Sequence, residues 1–292
     1  MTEADFIALM REVAGTEAAR GLYDDAAVFD VGGKLLVATH DMLVEGVHYR
    51  ASDAPADVAW KLAAVNLSDL AAMGARPLGA LVGYCLGEDA WDRAFAKGLG
   101  EALAHFGLPL LGGDTVASST RILGLTAFGI AERAPPGRGG ARPGDMLGVT
   151  GTIGDAGAGL EAPADSSLAR RYLRPEPRIA AGAMLAASAS AMMDVSDGLL
   201  IDAARMAEAS GVSIAIALEK IPLSLAFIQA RGETLEARLF AATAGDDYEL
   251  LFASEAADTP IGTVDDGAGL RLTFEGRPVP LPERLGWEHR GG

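Results

Sequence analysis

Apolar positions recur along this chain with two different periods, and the period changes from segment to segment. A helical spacing of apolar residues predicts helices over residues 6–13, 55–73, 90–106, 179–191 and 199–209. Short apolar runs bounded by turn residues predict strands over residues 26–29, 34–39, 78–86, 108–111, 121–131, 145–150, 212–218, 248–253 and 270–274. Strands and helices therefore alternate in both halves of the chain, which favours an α/β or α+β architecture.

One segment differs from this alternation in its composition. Residues 134–144 read APPGRGGARPG, a run of prolines and glycines that interrupts both helices and strands. We predict that the chain divides here into two domains, 1–134 and 135–292. A second glycine-rich stretch, GTIGDAGAGL at 151–160, is similar to a phosphate-binding loop that leads into a helix. It matches neither common phosphate-loop motif, so by itself it is equally consistent with a tight turn.

The charge balance narrows the classes of function. Among 292 residues, 40 Asp and Glu face 24 Lys and Arg, and the net charge of −16 argues against a nucleic-acid or anionic-membrane surface. The single cysteine, Cys85, excludes an intrachain disulfide. The N-terminal segment lacks the basic start and apolar run of a secretory signal, and no apolar run is long enough to span a membrane. We therefore expect a soluble, cytoplasmic protein.

The acidic residues include six short patches that stand beside apolar stretches. They are Asp24–Asp25, Asp41, Asp69, Gly112–Asp114, Asp194 with Asp197, and Asp246–Asp247. Carboxylates in such settings are costly to desolvate unless positive charge meets them, and the few basic side chains are a poor source of that charge. Hard divalent cations held by oxygen ligands are the natural partners, and proteins that gather magnesium in this way commonly use it to hold polyphosphate.

Asp69 is the most informative of these acids, because nearly every neighbour in its predicted helix is apolar. Asn66 lies three residues earlier on the same helix face, so two polar groups need partners there. Asp69 is either a buried aspartate satisfied by backbone amides or a metal ligand. Asp41 and Asp114 follow predicted strands, where α/β proteins gather ligands, although each taken singly is also typical of a turn or a helix cap.

Other kinds of catalytic or binding site find little support in the sequence. There is no lysine-tipped phosphate loop, no H-E-x-x-H zinc motif and no G-x-S-x-G nucleophile elbow.

Ser196 or Asp197 can serve as the cap of the predicted helix at 199–209. A helix N-terminus also binds anions, so capping and nucleotide contact are compatible at this position.

Ten short motifs, in order along the chain, resemble those of the thiamine-monophosphate kinase family. They are DDAAV, THDMLVEGVH, NLSDLAAMGA, LLGGDT, RGGARPGD, TGTIGDAGAGL, RPEPR, DVSDGL, GDDYELLF and the late GW. The resemblance extends from about Asp24 to Trp287 and places the chain with the aminoimidazole-ribonucleotide-synthetase-like superfamily. It implies a two-domain PurM-like fold, with an N-terminal α/β dimerisation domain and a C-terminal α+β domain.

The same resemblance implies an activity. It predicts transfer of the ATP γ-phosphoryl group to thiamine monophosphate by a homodimer, with several Mg²⁺ ions as cofactors and with neither nucleic acid nor membrane as a partner. We expect direct in-line transfer without a general base, because the acceptor phosphate is already ionised near neutral pH. Two alternatives remain open. One is another ATP-dependent enzyme of the same superfamily, and the other is a non-catalytic module that binds nucleotide or thiamine phosphates.

The motifs also imply roles for individual positions. Metal binding is implied for Asp25, Thr39, His40, Asp41, Asp69, Asp114, Asp194 and Asp197. ATP contacts are implied for Gly113, Asp114, Arg138 and Ser196, and contacts to the thiamine phosphate for His48, Glu249 and Trp287. A tryptophan ring and a carboxylate suit a flat, cationic heterocycle such as that of thiamine.

Arg138 is a cation in a glycine-rich turn, which suits a phosphate partner. Three other positions differ from the usual family pattern. His40 stands where the family usually has a hydroxyl residue, and Tyr23 stands where it usually has glycine. Ala96 stands where we expect an aromatic residue near the adenine. These differences concern metal number and nucleotide affinity more than the class of reaction.

Overall fold

The computed structural model of the protein describes residues 1–288, so the last four residues of the second predicted domain, 289–292, lie outside the described residues. The α-helices are α1 Glu3–Val13, α2 Pro55–Ala72, α3 Asp89–Phe106, α4 Asp155–Gly159, α5 Ser167–Leu173, α6 Ile179–Leu185, α7 Leu199–Ser210, α8 Leu225–Arg231 and α9 Leu235–Ala244. The strands are β1 Ala27–Val31, β2 Lys34–Val44, β3 Arg76–Leu86, β4 Leu110–Ala117, β5 Ile122–Ala131, β6 Met146–Val149, β7 Ala191–Val195, β8 Ser213–Ala217, β9 Glu249–Ser254, β10 Gly262–Asp265, β11 Gly269–Phe274 and β12 Arg277–Val279. No helix among residues 1–288 combines the length and the apolarity that crossing a membrane requires.

The first half of the chain forms a five-stranded sheet in the order β1-β2-β5-β3-β4. Its strand pairs are antiparallel except for β3 with β4. Alternate residues of a strand point to opposite faces, and the apolar residues of one face pack against α2, beside which α3 lies. The other face is open in the single chain, and Met42 and Leu81 are exposed on it.

The second half of the chain forms a seven-stranded sheet in the order β12-β11-β8-β10-β6-β9-β7. Strands β8 and β11 pair in parallel, and the other pairs are antiparallel. Helices α4, α7 and α9 bury their apolar residues with those of the sheet in one core, which includes Ile153, Leu200, Ala241 and Leu251. The chain therefore has the predicted two-domain fold of mixed α/β and α+β character.

Helix α2 belongs to the packing of both halves. Leu62 lies in the core of the first sheet, whereas Ala71 and Ala72 contact Met192 of β7 and Leu250 of β9. A helix that is apolar on all sides is stable in water only when other elements surround it. The composition of α2 thus places it between the two sheets, where it joins the halves.

Three of the segment predictions are wrong in detail. Strand β2 continues through Asp41 to Val44, so Asp41 lies within the strand and not at its end. Strand β4 runs past Asp114 and is exposed throughout, because it is the edge strand of its sheet. Helix α6 ends at Leu185, and Ala191 begins the buried strand β7, since a short apolar run is compatible with either a helix or a strand.

The close contact between α6 and α2 can be tested with one added methyl group. A Cβ atom on Gly182 would lie 2.0 Å from the carbonyl oxygen of Ala71. We expect Gly182→Ala to lower the free energy of unfolding by about 1–3 kcal/mol, because the two helices must separate to accept it. Chemical denaturation of the purified variant measures the change.

Gly100 of α3 provides the matched control, since a Cβ atom there meets no other atom within 4 Å. Gly100→Ala should be neutral or should raise the free energy of unfolding by up to about 1 kcal/mol, because alanine is the better helix former. Equal effects of Gly182→Ala and Gly100→Ala would contradict the tight packing of α6 on α2.

Candidate functional site

A cavity of about 760 Å³ lies between β2, α2 and the second half of the chain. Residues of β2 and the turn after it form one wall, and the segments after β7 and before β9 contribute to another. Most of the predicted site residues line it: Asp25, Thr39, His40, Asp41, His48, Asp69, Arg138, Asp194, Ser196, Asp197 and Trp287. Both halves of the chain are therefore needed to build this site.

Strand β2 is held against α2 by two polar contacts. The side-chain oxygen of Asn66 accepts a hydrogen bond from the backbone N–H of Asp41 at 2.9 Å. The carboxylate of Asp69, one helical turn further along α2, accepts a hydrogen bond from the hydroxyl of Thr39. Because buried polar groups are nearly always hydrogen-bonded, these two contacts set the position of β2 along the helix.

Two further polar residues of α2 connect it to the second half and to the turn after β2. Ser68 donates a hydrogen bond of 2.6 Å to the carboxylate of Asp194 in β7. The ammonium group of Lys61 donates to the carbonyl oxygen of His48 at 3.1 Å and to the carboxylate of Asp246 at 2.6 Å. Lys61 is buried, so its charge needs such a partner. One helix thereby orients residues on several sides of the cavity.

Three carboxylates converge in the cavity. Asp25, Asp69 and Asp194 each present an oxygen atom, and these three atoms lie within 4.8 Å of one another. Arg138 forms an ion pair with one oxygen of Asp25, while the other oxygen is buried and has no hydrogen-bond partner among residues 1–288. Among residues 1–288, this is the one ion pair that the three acids form. An unpartnered carboxylate oxygen beside two further carboxylates is an oxygen donor set that fits Mg²⁺.

Burial and mutual repulsion raise the pKa values of these acids. The pKa values of Asp69 and Asp194 lie well above the ordinary value of 3.8, because both groups are buried and face other carboxylates. Burial also raises the pKa of Asp25. The pKa of Asp41 is raised to about 6 by burial and by the nearby charges of Asp25 and Asp197. A bound cation would oppose these shifts, because it favours the ionised carboxylates.

Another part of the cavity wall, which we call the aromatic corner, consists of Tyr172, Tyr248, Asp246 and Trp287. The ammonium group of Lys61 lies 4.2 Å from the centroid of the Tyr172 ring, and the hydroxyl of Tyr248 donates to Asp246 at 3.0 Å. The corner combines flat rings with one carboxylate. The lining of the cavity therefore combines an acidic cluster with the rings of the aromatic corner.

Gly113 and Asp114 do not line this cavity. Asp114 pairs with Gly83 on β3, and both β3 and β5 lie between β4 and β2. Three strand spacings amount to about 14 Å, so Asp114 cannot reach Asp41 within one chain. The expectation that strand ends bring these acids together in the single chain is therefore wrong, because the order of the strands in the sheet differs from their order in the sequence.

Glu249 does not line the cavity either. It is fully buried at the start of β9, where its carboxylate accepts hydrogen bonds from Arg171, Arg178 and the hydroxyl of Thr150. These donors use most of the accepting capacity of its two oxygens. Its position therefore argues against the predicted direct contact with a substrate. In the structure Glu249 joins α5 and the segment before α6 to β9.

The sequence motifs imply no role at the site for Lys61, Ser68 or Tyr172. Lys61 and Ser68 carry the same signal as Asp69, since each is a polar residue in an otherwise apolar helix. That signal identifies them once α2 is known to be buried on all sides. Tyr172 carries no comparable signal, because its place at the cavity depends on how α5 packs.

Ala96 lies apart from the acidic cluster, in a second and largely apolar cavity of about 930 Å³. This cavity lies between α3 and strands β3 and β4, and it is also lined by Thr115, the neighbour of Asp114. Ala96, with only a methyl group, and Gly100, with no side chain, line it on α3. Ala96, the position expected to lie near the adenine, is thus beside the edge strand β4 of the first sheet.

Comparison with known families and proteins agrees with this architecture. The family described as AIR synthase related protein, N-terminal domain, matches residues 23–131, and its C-terminal counterpart matches residues 142–275. The chain is 41% identical to the thiamine-monophosphate kinase of Caulobacter vibrioides over 99% of this chain and 91% of that protein. It is 36% identical to the thiamine-monophosphate kinase of Escherichia coli strain K12 over 92% of this chain and 91% of that protein.

A solved structure has the same fold over nearly the whole chain. It is described as AaThiL complexed with AMPPCP and TMP, and it superposes with a TM-score of 0.89 at 34% sequence identity. The superposition covers 99% of this chain and 97% of that chain. Sequence and structure comparisons therefore agree on one group of relatives.

The raised pKa of Asp41 predicts how the stability of the metal-free protein depends on pH. The folded-state pKa is about 6 against 3.8 for the ordinary group, so the folded state binds more protons between these values. The stabilising contribution of protonated Asp41 is present below about pH 4 and is lost as the pH rises through about 6. Asp41→Asn lacks this titration, so its stability relative to the parent should rise by about 2–3 kcal/mol across that range.

Chemical denaturation of both proteins in chelator at several pH values measures this difference. Excess Mg²⁺ should reverse the order of stability at neutral pH, because metal ligands bind in their deprotonated form. A difference between Asp41→Asn and the parent that stays constant with pH in chelator would contradict the raised pKa.

Proposed function

Because this chain belongs to the thiamine-monophosphate kinase family, we propose that it transfers the γ-phosphoryl group of ATP to thiamine monophosphate, giving thiamine diphosphate and ADP. The observation that carries the proposal is the convergence of Asp25, Asp69 and Asp194 in a cavity that also has an aromatic corner. The relative described as complexed with AMPPCP and TMP supports the same pair of substrates. We place the reaction in the cytoplasm, which supplies the ATP.

Mg²⁺ is the proposed cofactor. Asp25, Asp69 and Asp194 are its proposed central ligands, because their oxygens lie within reach of one cation. The same cavity is lined by the other proposed ligands Thr39, His40, Asp41 and Asp197. The Nδ1 atom of His40 lies 2.9 Å from the hydroxyl of Thr126, which leaves Nε2 as the ring atom for a metal or phosphate contact. When bound, Mg²⁺ would neutralise the phosphate oxygens and help to align them for transfer.

Arg138 and Ser196 are proposed to hold the nucleotide. Arg138 already pairs with Asp25, and its guanidinium group has five N–H donors, so it can keep this contact and also donate to a phosphate oxygen. Ser196 lines the cavity three residues before α7. The N-terminus of that helix favours an anion nearby. These contacts would hold the phosphates above the acidic cluster.

His48 and Trp287 are proposed to contact thiamine monophosphate. Both line the cavity, and the ring of His48 is oriented by a hydrogen bond of 3.0 Å from the backbone N–H of Val44 to its Nδ1 atom. The acceptor phosphate is ionised near neutral pH, so no residue is needed to remove a proton from it. The residues of the chain then act by holding two anions in line and by offsetting their charge.

We infer that the protein is a homodimer formed through the open face of the first sheet, and that Asp114 of one copy serves the cavity of the other. Asp114 lies on that open face, in register with Met42 through Gly83 and Gly124. Met42 lines the cavity, so the cavity reaches the open face. A second copy packed on this face is what can bring Asp114 and its neighbour Gly113 to the nucleotide.

The proposed reaction is tested by incubating the purified protein with ATP, Mg²⁺ and thiamine monophosphate. Thiamine diphosphate should form, and free thiamine should be a poor acceptor because it lacks the phosphate that the cations hold. Asp41→Asn and Asp69→Asn should each lower kcat/KM by about 100-fold or more, because each removes charge that positions the phosphates.

Asp266→Asn is the matched control, since Asp266 is exposed in the turn between β10 and β11. This variant should have the activity of the parent. Product chromatography reports all of these reactions. Absence of thiamine diphosphate in the parent reaction, or full activity in both cavity variants, would refute the proposed function.

The role of Asp114 across the dimer is tested by mixing two inactive variants. A mixed dimer of Asp41→Asn and Asp114→Asn has one site with both substitutions and one site with neither. Random mixing after mild dissociation should therefore restore about one quarter of the parent activity, as the two-fold symmetry of a dimer requires. Light scattering on each variant checks that dimers form, and no recovery from mixed dimers would show that Asp114 does not act in trans.

A further inference from the structure

Two neighbouring aspartates hold Arg138, one by its side chain and the other by its backbone. The Nε atom of Arg138 donates to the carboxylate of Asp25 at 3.0 Å, and its backbone N–H donates to the carboxylate of Asp24 at 2.8 Å. The contact with Asp25 belongs to the acidic cluster. Asp24 also lines the cavity, although the proposed function gives it no role. Its hydrogen bond is a second, separate constraint on where Arg138 lies.

The segment that carries Arg138 has a composition that does not fix its own conformation. Residues 137–140 read GRGG, within the proline- and glycine-rich segment that joins the two halves of the chain. Glycine loses more conformational freedom on ordering than any other residue. When a segment is ordered before its ligand arrives, the cost of ordering is removed from the binding step. Contacts from outside the segment must therefore set the position of Arg138.

The second half of the chain supplies part of this support. The carbonyl oxygen of Gly137 accepts a hydrogen bond from the backbone N–H of Met192 at 3.2 Å. The carbonyl oxygen of Arg138 accepts one from the hydroxyl of Ser210 at 2.9 Å. Asp24 reaches the same backbone from the first half, where Asp25 and Asp69 also lie. It therefore fixes Arg138 relative to the acids of the first half.

Arg20 in turn fixes Asp24. Its guanidinium group forms an ion pair with the carboxylate of Asp24, which is largely buried. Arg20 and Leu22 have φ values of 49° and 55°, in the left-handed region that residues with a Cβ atom rarely adopt. Such a backbone persists only where its surroundings impose it. A Cβ atom on Gly137 would lie 2.7 Å from both Arg20 and Asp24, so this pair packs directly on the backbone before Arg138.

We propose that Asp24, oriented by Arg20, is the positioning residue that holds Arg138 in place for the phosphates of the nucleotide. This inference rests on the proposed function, which gives Arg138 the phosphate contact. A cation bound to Asp25 would weaken the ion pair between Asp25 and Arg138. The hydrogen bond to Asp24 involves only the backbone of Arg138, so it persists. Asp24 then keeps Arg138 at the cavity while the guanidinium group divides its donors between Asp25 and a phosphate oxygen.

Equilibrium binding of AMPPCP, a non-hydrolysable ATP analogue, tests this role without requiring turnover. Calorimetry in excess Mg²⁺ should show that Asp24→Ala raises the Kd for AMPPCP by about 10-fold, because the backbone of Arg138 loses a charged acceptor. The Kd for thiamine monophosphate should stay within about twofold of the parent value, because Arg138 is not a proposed contact of the acceptor. The loss is thus expected to be selective for the nucleotide.

A double-variant comparison separates positioning from direct contact. Arg138→Met removes the guanidinium group and should itself raise the Kd for AMPPCP by about 10-fold or more. Adding Asp24→Ala to Arg138→Met should raise that Kd by less than about twofold further, because Asp24 acts through the group that is already absent. A merely structural role of Asp24 would weaken binding in both backgrounds alike.

Asp145→Ala is the matched control at the other end of the same segment. The carboxylate of Asp145 accepts the backbone N–H of Arg142 at 2.9 Å, as that of Asp24 does for Arg138, but Asp145 does not line the cavity. Asp145→Ala should bind AMPPCP as the parent does. Thermal unfolding reports whether each variant is folded.

A milder variant keeps the inference testable if Asp24→Ala does not fold. Arg20→Ala leaves the carboxylate of Asp24 in place and removes only its ion pair, in which Arg20 is partly exposed. It should raise the Kd for AMPPCP by about 2–4-fold, in the same direction as Asp24→Ala. The Kd for thiamine monophosphate should again be that of the parent.

Each outcome bears on the inference separately from the proposed function. Parent-like binding of AMPPCP by folded Asp24→Ala, or by Arg20→Ala where Asp24→Ala does not fold, would overturn the inference. Equal losses in Asp24→Ala and Asp145→Ala would do the same, as would a larger further loss on the Arg138→Met background. The expected selective losses would support it even if the parent formed no thiamine diphosphate, a result that would refute the kinase reaction alone. A parent that does not bind AMPPCP would overturn both.

Discussion

Helix α2 is buried between two sheets, and every polar group along it must therefore find a hydrogen-bond partner inside the protein. Asn66 and Asp69 find theirs on β2, Ser68 finds its partner on β7, and Lys61 reaches the turn after β2 and the segment before β9. These contacts join the two halves of the chain at fixed positions. The same contacts aim carboxylates from both halves into one cavity, so the site follows from how the polar groups of α2 are satisfied.

The acidic cluster is electrostatically unfavourable in the protein alone and becomes favourable with cations. Burial raises the pKa values of Asp25, Asp69 and Asp194, and neighbouring carboxylates raise those of Asp69 and Asp194 further, while the guanidinium group of Arg138 opposes the shift at Asp25. A chain with a net charge of −16 would also repel two phosphate substrates. Cations bound at the cluster would offset both the repulsion among the carboxylates and the repulsion of the phosphates. Metal, nucleotide and acceptor should therefore depend on one another for binding, because each charge that enters lowers the repulsion met by the next.

Most helices and strands of the first half, and the place of Asp69 at the centre of the site, could be predicted from the sequence. Asp69 is informative because a carboxylate in an apolar helix needs a partner, and the same argument extends to Lys61 and Ser68. The separation of Asp114 from the cavity could not be predicted, because the order of strands in a sheet is a property of the whole fold. The burial of Glu249 depends on arginines 78 and 71 residues earlier in the chain, which no local pattern connects to it.

The central claim is that acids from both halves hold cations that in turn hold two anionic substrates. A crystal structure with Mn²⁺ in place of Mg²⁺ and a non-hydrolysable ATP analogue tests it most directly, because manganese is located by its anomalous scattering. The account predicts manganese bound directly to carboxylate oxygens of Asp25, Asp69 and Asp194 and to the phosphates of the analogue. Phosphates bound in the cavity with no manganese between them and these three residues would contradict it.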